Sequence, residues 1–187
     1  MNNEIGDYGK KMNSALSAVR RMHSDVSKLL VDVDSTIGKG MNPIFGSYAT
    51  TNLTYNYRAD YWMAAFVYRL FSDAINPGSV KGITVWFFDD AKRIDEPYLL
   101  VGELEYELAP EQTLEKPWVS DLINAYSKWH DKPTSNVVLT GRSPKPAVRS
   151  YKVIATPLYS ITSMADLVEL MDRVQEAGFP EEGIDTR

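Results

Sequence analysis

The stretch Gly82–Leu108, GITVWFFDDAKRIDEPYLLVGELEYEL, constrains this chain more than any other. Two apolar runs flank a polar segment holding Asp89, Asp90, Lys92, Arg93, Asp95, Glu96 and Pro97, which is the pattern of an antiparallel hairpin. In the first run Ile83, Val85 and Phe87 alternate with Thr84, Trp86 and Phe88, so both faces of the strand are covered. A strand apolar on both faces belongs inside a sheet with a layer packed above and below it.

Helices are the expected source of those layers. Tyr8, Met12, Leu16, Val19, His23, Val26, Leu30, Val33 and Ile37 recur at steps of three and four, the stripe of one long amphipathic helix that Gly38 and Gly40 end. A helix of about 30 residues runs near 45 Å, longer than a small sheet can cover, so part of it is expected either to bend onto its own sheet or to pack on a partner chain. Pro117 opens a second helix with Trp118, Leu122, Ala125, Tyr126 and Trp129 on one face, stopped by Pro133. Ser163 caps a third, carrying Leu167, Val168, Leu170, Met171 and Val174 up to Gly178 and Pro180. Asp60–Phe71, aromatic-rich and followed by Asn76-Pro77-Gly78-Ser79, is expected to be a strand leading into the Gly82 strand. Asn136–Thr140 and Val148–Ala155 add a second hairpin around Ser143–Pro146. The expectation is a single α+β domain over residues 1–180. Its central, mostly antiparallel sheet, a meander over about 60–108 plus a hairpin over about 136–155, is flanked by the long N-terminal helix and two further helices. Residues 181–187 read as a loose tail.

With 187 residues and no cysteine, the chain is long enough to bury a core without disulfides, and it holds neither thiolate nucleophiles nor cysteine metal sites. Absence of cysteine is compatible with a reducing compartment. Charges run through the first thirty residues and the longest apolar run, Tyr61–Tyr68, is too short to span a bilayer. The expectation is therefore a soluble, cytoplasmic protein with no signal peptide and no membrane partner. Net charge is −5 but unevenly spread: Gly82–Asp131 holds eleven acidic and four basic residues, and Lys132–Lys152 five basic and no acidic ones. Overall acidity argues against nucleic acid as a partner and leaves one local basic patch open.

Candidate chemistry is sparse. Asp32-Val33-Asp34-Ser35-Thr36 after Leu29-Leu30 resembles the first motif of the haloacid-dehalogenase-like phosphohydrolases. That resemblance implies Asp32 as nucleophile, Asp34 as general acid/base and a magnesium ion between them, with Asp89-Asp90 as the late acidic pair. The helical stripe points the other way, because carboxylates two positions apart on a helix diverge. Asp89 or Asp90 with Glu103 and Glu105 is similar to the strand-borne carboxylates of the restriction-endonuclease-like core, although Glu103-Leu104-Glu105 stands where that core has Glu-x-Lys. In a symmetric hairpin whose paired positions sum to about 186, Glu103 faces Ile83 and Glu105 faces Lys81, and Glu103, Glu105 and Glu107 form a solvated strand face. His23 falls on the apolar stripe and His130 beside Asp131. A histidine in a core stripe, as His23 is, reads as a packing residue rather than a ligand.

Two binding surfaces stand out. The charge-free, aromatic stretch before Arg58 offers Tyr55 and Tyr57, with Trp62 beyond, as a recognition surface or as a lid on the sheet. Arg142 and Lys145 flank the second hairpin turn, where an anion or an acidic partner can meet them. The leading functional expectation is a non-enzymatic intracellular binding or accessory protein, with no cofactor, acting on an unidentified protein or small molecule, with a homodimer through the N-terminal helix among its expected assemblies. The alternatives are a magnesium-dependent phosphoester hydrolase using Asp and Glu ligands, and a small-molecule sensor built on the aromatic loop.

Overall fold

The structure, a computed structural model, describes residues 2–45, 64–89, 91–108 and 119–180, with side chains from Asp7 onward. Helix α1 spans Asn2–Thr36, α2 Asp121–Ser127 and α3 Met164–Glu176. Six strands, β1 (Asn42–Pro43), β2 (Phe66–Ser72), β3 (Ser79–Trp86), β4 (Tyr98–Tyr106), β5 (Leu139–Arg142) and β6 (Val148–Pro157), form one sheet in the order β1-β2-β3-β4-β6-β5. Every neighbouring pair is antiparallel. The fold is α+β, as the patterning requires. Among the described residues no helix is long and apolar enough to cross a membrane.

Alternation along β3 sorts its residues between two cores. Ile83 and Val85, with Val67, Phe71, Leu99, Val101 and Ile154 of the neighbouring strands, face α1 and α3. Trp86 and Val80, with Tyr68, Leu70, Leu100, Leu104, Val153 and Ala155, face α2. Ile83, Val85, Trp86, Phe87, Leu100, Val101 and Leu104 are all buried, so the central hairpin is the core that its composition demands. On the α2 side Gly82 pairs with Gly102 across β3 and β4. The two missing side chains hollow the sheet there, and a Cβ on Gly102 would lie 2.6 Å from Leu122 Cδ2, so Leu122 of α2 seats directly on backbone.

Local chemistry sets the element ends. Gly38 N–H donates to Val33 O at 3.0 Å at the end of α1, and Gly40, with a φ of 78° that favours glycine, lies in the turn that follows, where Met41 N–H donates to Gly38 O at 3.0 Å. The β2–β3 turn forms on Asp73, whose carboxylate accepts from the backbone of Ile75 (2.7 Å) and Asn76 (3.3 Å); those bonds hold its pKa below the ordinary value. Ser163 and Asp166 make a reciprocal capping box on α3.

Several details depart from the sequence expectation. The β3–β4 register places Lys81 opposite Glu103 and Ser79 opposite Glu105, two positions from the symmetric estimate. β1 was not expected, and it adds a two-residue edge to β2. β5 begins at Leu139 rather than Asn136 because Asn136 takes a φ of 59°, outside the extended range. α2 stops at Ser127, where Lys128 and Trp129 N–H both turn to Asn124 O and the helix unwinds, although Trp129 still packs 5.8 Å from the Tyr151 ring. β2 is the strand expected over Asp60–Phe71. Asp60–Met63, Pro117, Trp118 and the tail 181–187 lie outside the described residues.

α1 is one continuous helix of 35 residues, about 52 Å long, and covers the sheet with only part of its length. Val26, Leu30 and Val33 are buried, and the His23 ring packs 4.8 Å from Phe87 at the end of β3. Before that point the helix leaves the sheet. Residues 7–18 are all exposed, with Tyr8 at 71% and Met12 and Leu16 each at 55%.

Candidate functional site

Where α1 passes the connection from β6 to α3, an open groove of about 860 Å³ runs between them. Its floor is apolar: Met22, Val26 and Leu29 from α1 face Leu158, Ile161 and Met164. Arg21, Asp25, Lys28 and Asp32, at helical spacing, form a rim of alternating sign along α1. Lining positions on α1 run from Asn13 to Asp32, a length of about 28 Å. The opposite wall is fixed by the capping box, since the Asp166 carboxylate accepts from Thr162 N–H and Ser163 N–H, each at 2.8 Å. These bonds hold the Asp166 carboxyl below its ordinary pKa.

Among the described residues, the carboxylates singled out in the sequence do not converge. Asp32 sits on the groove rim, whereas Asp34 is held by Arg69, with Nε 2.7 Å from Oδ1 and Nη2 2.8 Å from Oδ2. Asp89 is forked by Arg93, which also lies 5.0 Å over the Trp86 ring, and the guanidinium pulls the Asp89 pKa down to about 2. Asp90 lies outside the described residues. Among the described residues no three Asp, Glu or His side chains are grouped to hold a metal ion.

Glu103 and Glu105 do not form a solvated face. Glu103 is 8% exposed and lies between two cations on adjacent strands, with Lys152 Nζ at 2.8 Å and Lys81 Nζ at 3.6 Å, and it accepts from Ser79 Oγ at 3.2 Å. Glu105 accepts from Ser150 Oγ at 2.7 Å. The Phe179 ring covers Lys152 at 4.2 Å. This charged row crosses β3, β4 and β6 on the face that carries α1 and α3. A sequence signal for it exists: Glu103 shares strand parity with Leu99 and Val101, Lys81 with Ile83 and Val85, and Lys152 with Ile154.

The basic stretch after Lys132 is not one patch. Lys145 turns inward, 3.0 Å from Oδ1 of Asp121, a fully buried carboxylate that also accepts from Tyr106 Oη at 2.8 Å. Arg142 is exposed at the end of β5 and Lys152 is buried under Phe179, so the cations counted together in the sequence serve separate places. His130 Nδ1 accepts from Lys132 N–H at 3.2 Å, and His23 packs on Phe87. Tyr55, Tyr57, Arg58 and Trp62 lie outside the described residues. No protein-family model, curated protein or solved structure matches the chain.

Proposed function

We propose that this is a non-enzymatic binding protein whose recognition site is the groove between α1 and the β6–α3 connection, and that its partner contributes an amphipathic peptide segment. One observation carries the reading: a groove lined along α1 for about five helical turns, with an apolar floor at Met22, Val26 and Leu29 and charges of both signs on its border, matches the form in which grooves accept amphipathic helices. Length favours a peptide over a compact small molecule, and the mixed rim favours a partner with both charge signs on its flanks. Self-association through α1 belongs to the same proposal, because the overhanging part of the helix exposes the apolar side chains of Tyr8, Met12 and Leu16. An intracellular, cytoplasmic setting is also part of it, supported by a cysteine-free composition suited to a reducing compartment.

Peptides selected from a display library on the wild-type protein test the groove. Those enriched should carry apolar residues at i, i+3 or i+4, and i+7. Ala18→Trp fills the groove from an exposed position of α1, so it should weaken those peptides at least tenfold while leaving the unfolding midpoint unchanged. Equal binding to the two proteins refutes the groove as the site.

A further inference from the structure

A smaller cavity of about 230 Å³ lies where the end of α1, β3 and α3 meet, and it shares no lining residue with the groove. One face of α3 lines it, with Val168, Met171, Asp172 and Gln175 at i, i+3, i+4 and i+7. Ile37 and Met41 add apolar wall from the end of α1 and the turn after it, and Lys81 enters from β3. At this size the cavity falls below the roughly 300–1,000 Å³ of sites for drug-sized ligands, so its occupant is a small metabolite rather than a peptide.

The charges in this cavity are opposite and do not pair with each other. Among the described residues Lys81 makes one ion pair, to Glu103 at 3.6 Å, which is longer than a hydrogen bond because Lys152 holds that carboxylate at 2.8 Å. Two cations thus share one buried carboxylate, and Lys81 keeps both net charge and donors. The other carboxylate in its field, Asp73, is committed to the backbone of Ile75 and Asn76. Asp172 and Gln175 are exposed and, among the described residues, make neither ion pair nor side-chain hydrogen bond. The Thr36 hydroxyl, also on the lining, already donates to Asp32 O at 2.8 Å. Polar recognition therefore falls to one cation, one carboxylate and one amide, beside four apolar side chains.

We propose that this cavity binds a free α-amino acid with an apolar side chain of about leucine's size, its carboxylate on Lys81, its ammonium on Asp172 and its side chain against Met41, Val168 and Met171. The proposal goes beyond the groove reading and does not rest on it. A zwitterion satisfies both protein charges at once, and Gln175 supplies a further donor and acceptor. A simple carboxylate would leave Asp172 facing a ligand of its own sign, an amine would do the same to Lys81, and a wholly apolar molecule would cover the ammonium without replacing its water.

Calorimetric titration and saturation-transfer NMR on the full chain test this with L-leucine and two analogues that each lack one charge, isocaproate without the ammonium and isoamylamine without the carboxylate. Leucine should bind with a Kd below about 1 mM, and each analogue at least about tenfold more weakly. Asp172→Asn, at an exposed position, should keep the unfolding midpoint and weaken leucine at least about tenfold without weakening isocaproate. Lys81→Met should weaken leucine by a similar factor without weakening isoamylamine. Ala18→Trp, which alters the groove alone, should bind leucine as the wild type does. No binding at about 10 mM leucine overturns the proposal. So does isocaproate binding as tightly as leucine, full leucine affinity in Asp172→Asn, or loss of leucine binding in Ala18→Trp. Because the cavity and the groove have separate variants and separate ligands, failure of either reading leaves the other standing.

Discussion

Replacing Glu103 with Gln removes one charge from the row that crosses β3, β4 and β6 and leaves its shape almost unchanged. Lys152 then keeps its ammonium in a place where its side chain is only 6% exposed, with no carboxylate at 2.8 Å to balance it. Removing one member of a buried pair costs about 3–5 kcal/mol, because the stranded ion is not rehydrated. The Phe179 ring, 4.2 Å from Nζ, offsets on the order of 1 kcal/mol, and Lys81, at 27% side-chain exposure, reaches water. The net expectation is about 3 kcal/mol. Lys152→Met should cost less, about 1–2 kcal/mol, since Glu103 keeps Lys81 and the Ser79 hydroxyl. Glu103→Met with Lys152→Met removes both buried charges and should fall within about 1 kcal/mol of the wild type. Urea unfolding followed by tryptophan fluorescence reads this directly: at a slope of about 2 kcal/mol/M, the glutamine variant should lose about 1.5 M in midpoint. A loss below about 0.5 M, or a double variant as unstable as the two single variants combined, would show that water already reaches the row and that the burial argument is wrong.

Asp89, held at about 2 by Arg93, contributes stability that is fully present above its unfolded pKa of about 3.8 and is lost as pH falls through 2. Screening around the partly exposed guanidinium limits the effect to about 1 kcal/mol, so the stability lost by Arg93→Ala should be about that much larger above pH 4 than near pH 2, where only its contacts to Trp86 and Ser127 are left to lose. Trp86→Ala removes an indole that is 2% exposed and should cost about 3–5 kcal/mol, read as a lowered denaturant midpoint. Ser163→Ala breaks the capping box of α3 and should cost about 1 kcal/mol, with earlier amide exchange in the first turn of that helix.

The α+β class, the central hairpin and the capped third helix were legible because each rests on local patterning: two covered faces from Ile83 to Phe88, and Ser163 ahead of the stripe Leu167, Leu170, Met171 and Val174. The register of that hairpin was not. A slip of two residues keeps every side chain on its own face, so alternation alone cannot distinguish Lys81 opposite Glu103 from Ile83 opposite Glu103. The symmetric estimate therefore made a buried carboxylate look solvated. The groove was equally hidden, since it depends on where residues 158–164 pass α1, a long-range contact with no periodic signature. Asp121 and Lys145, 24 positions apart, met for the same reason: one begins α2, and the other lies in the turn beneath it.

The paired glycines of β3 and β4 have a consequence for which strand alignment the finished fold accepts. If the hairpin closed two residues out of step, Gly82 would face Leu104, and that side chain would crowd the hollow that Leu122 occupies; Glu103 would meet Ile83 and find no cation on β3. The hairpin alone feels little of this, because its own alternation is satisfied in both alignments. The penalty falls on the seating of α2 on one face and on the pairing of Glu103 with Lys81 on the other. α2 and the charged row thus each favour the observed alignment of the hairpin over the one two residues out of step.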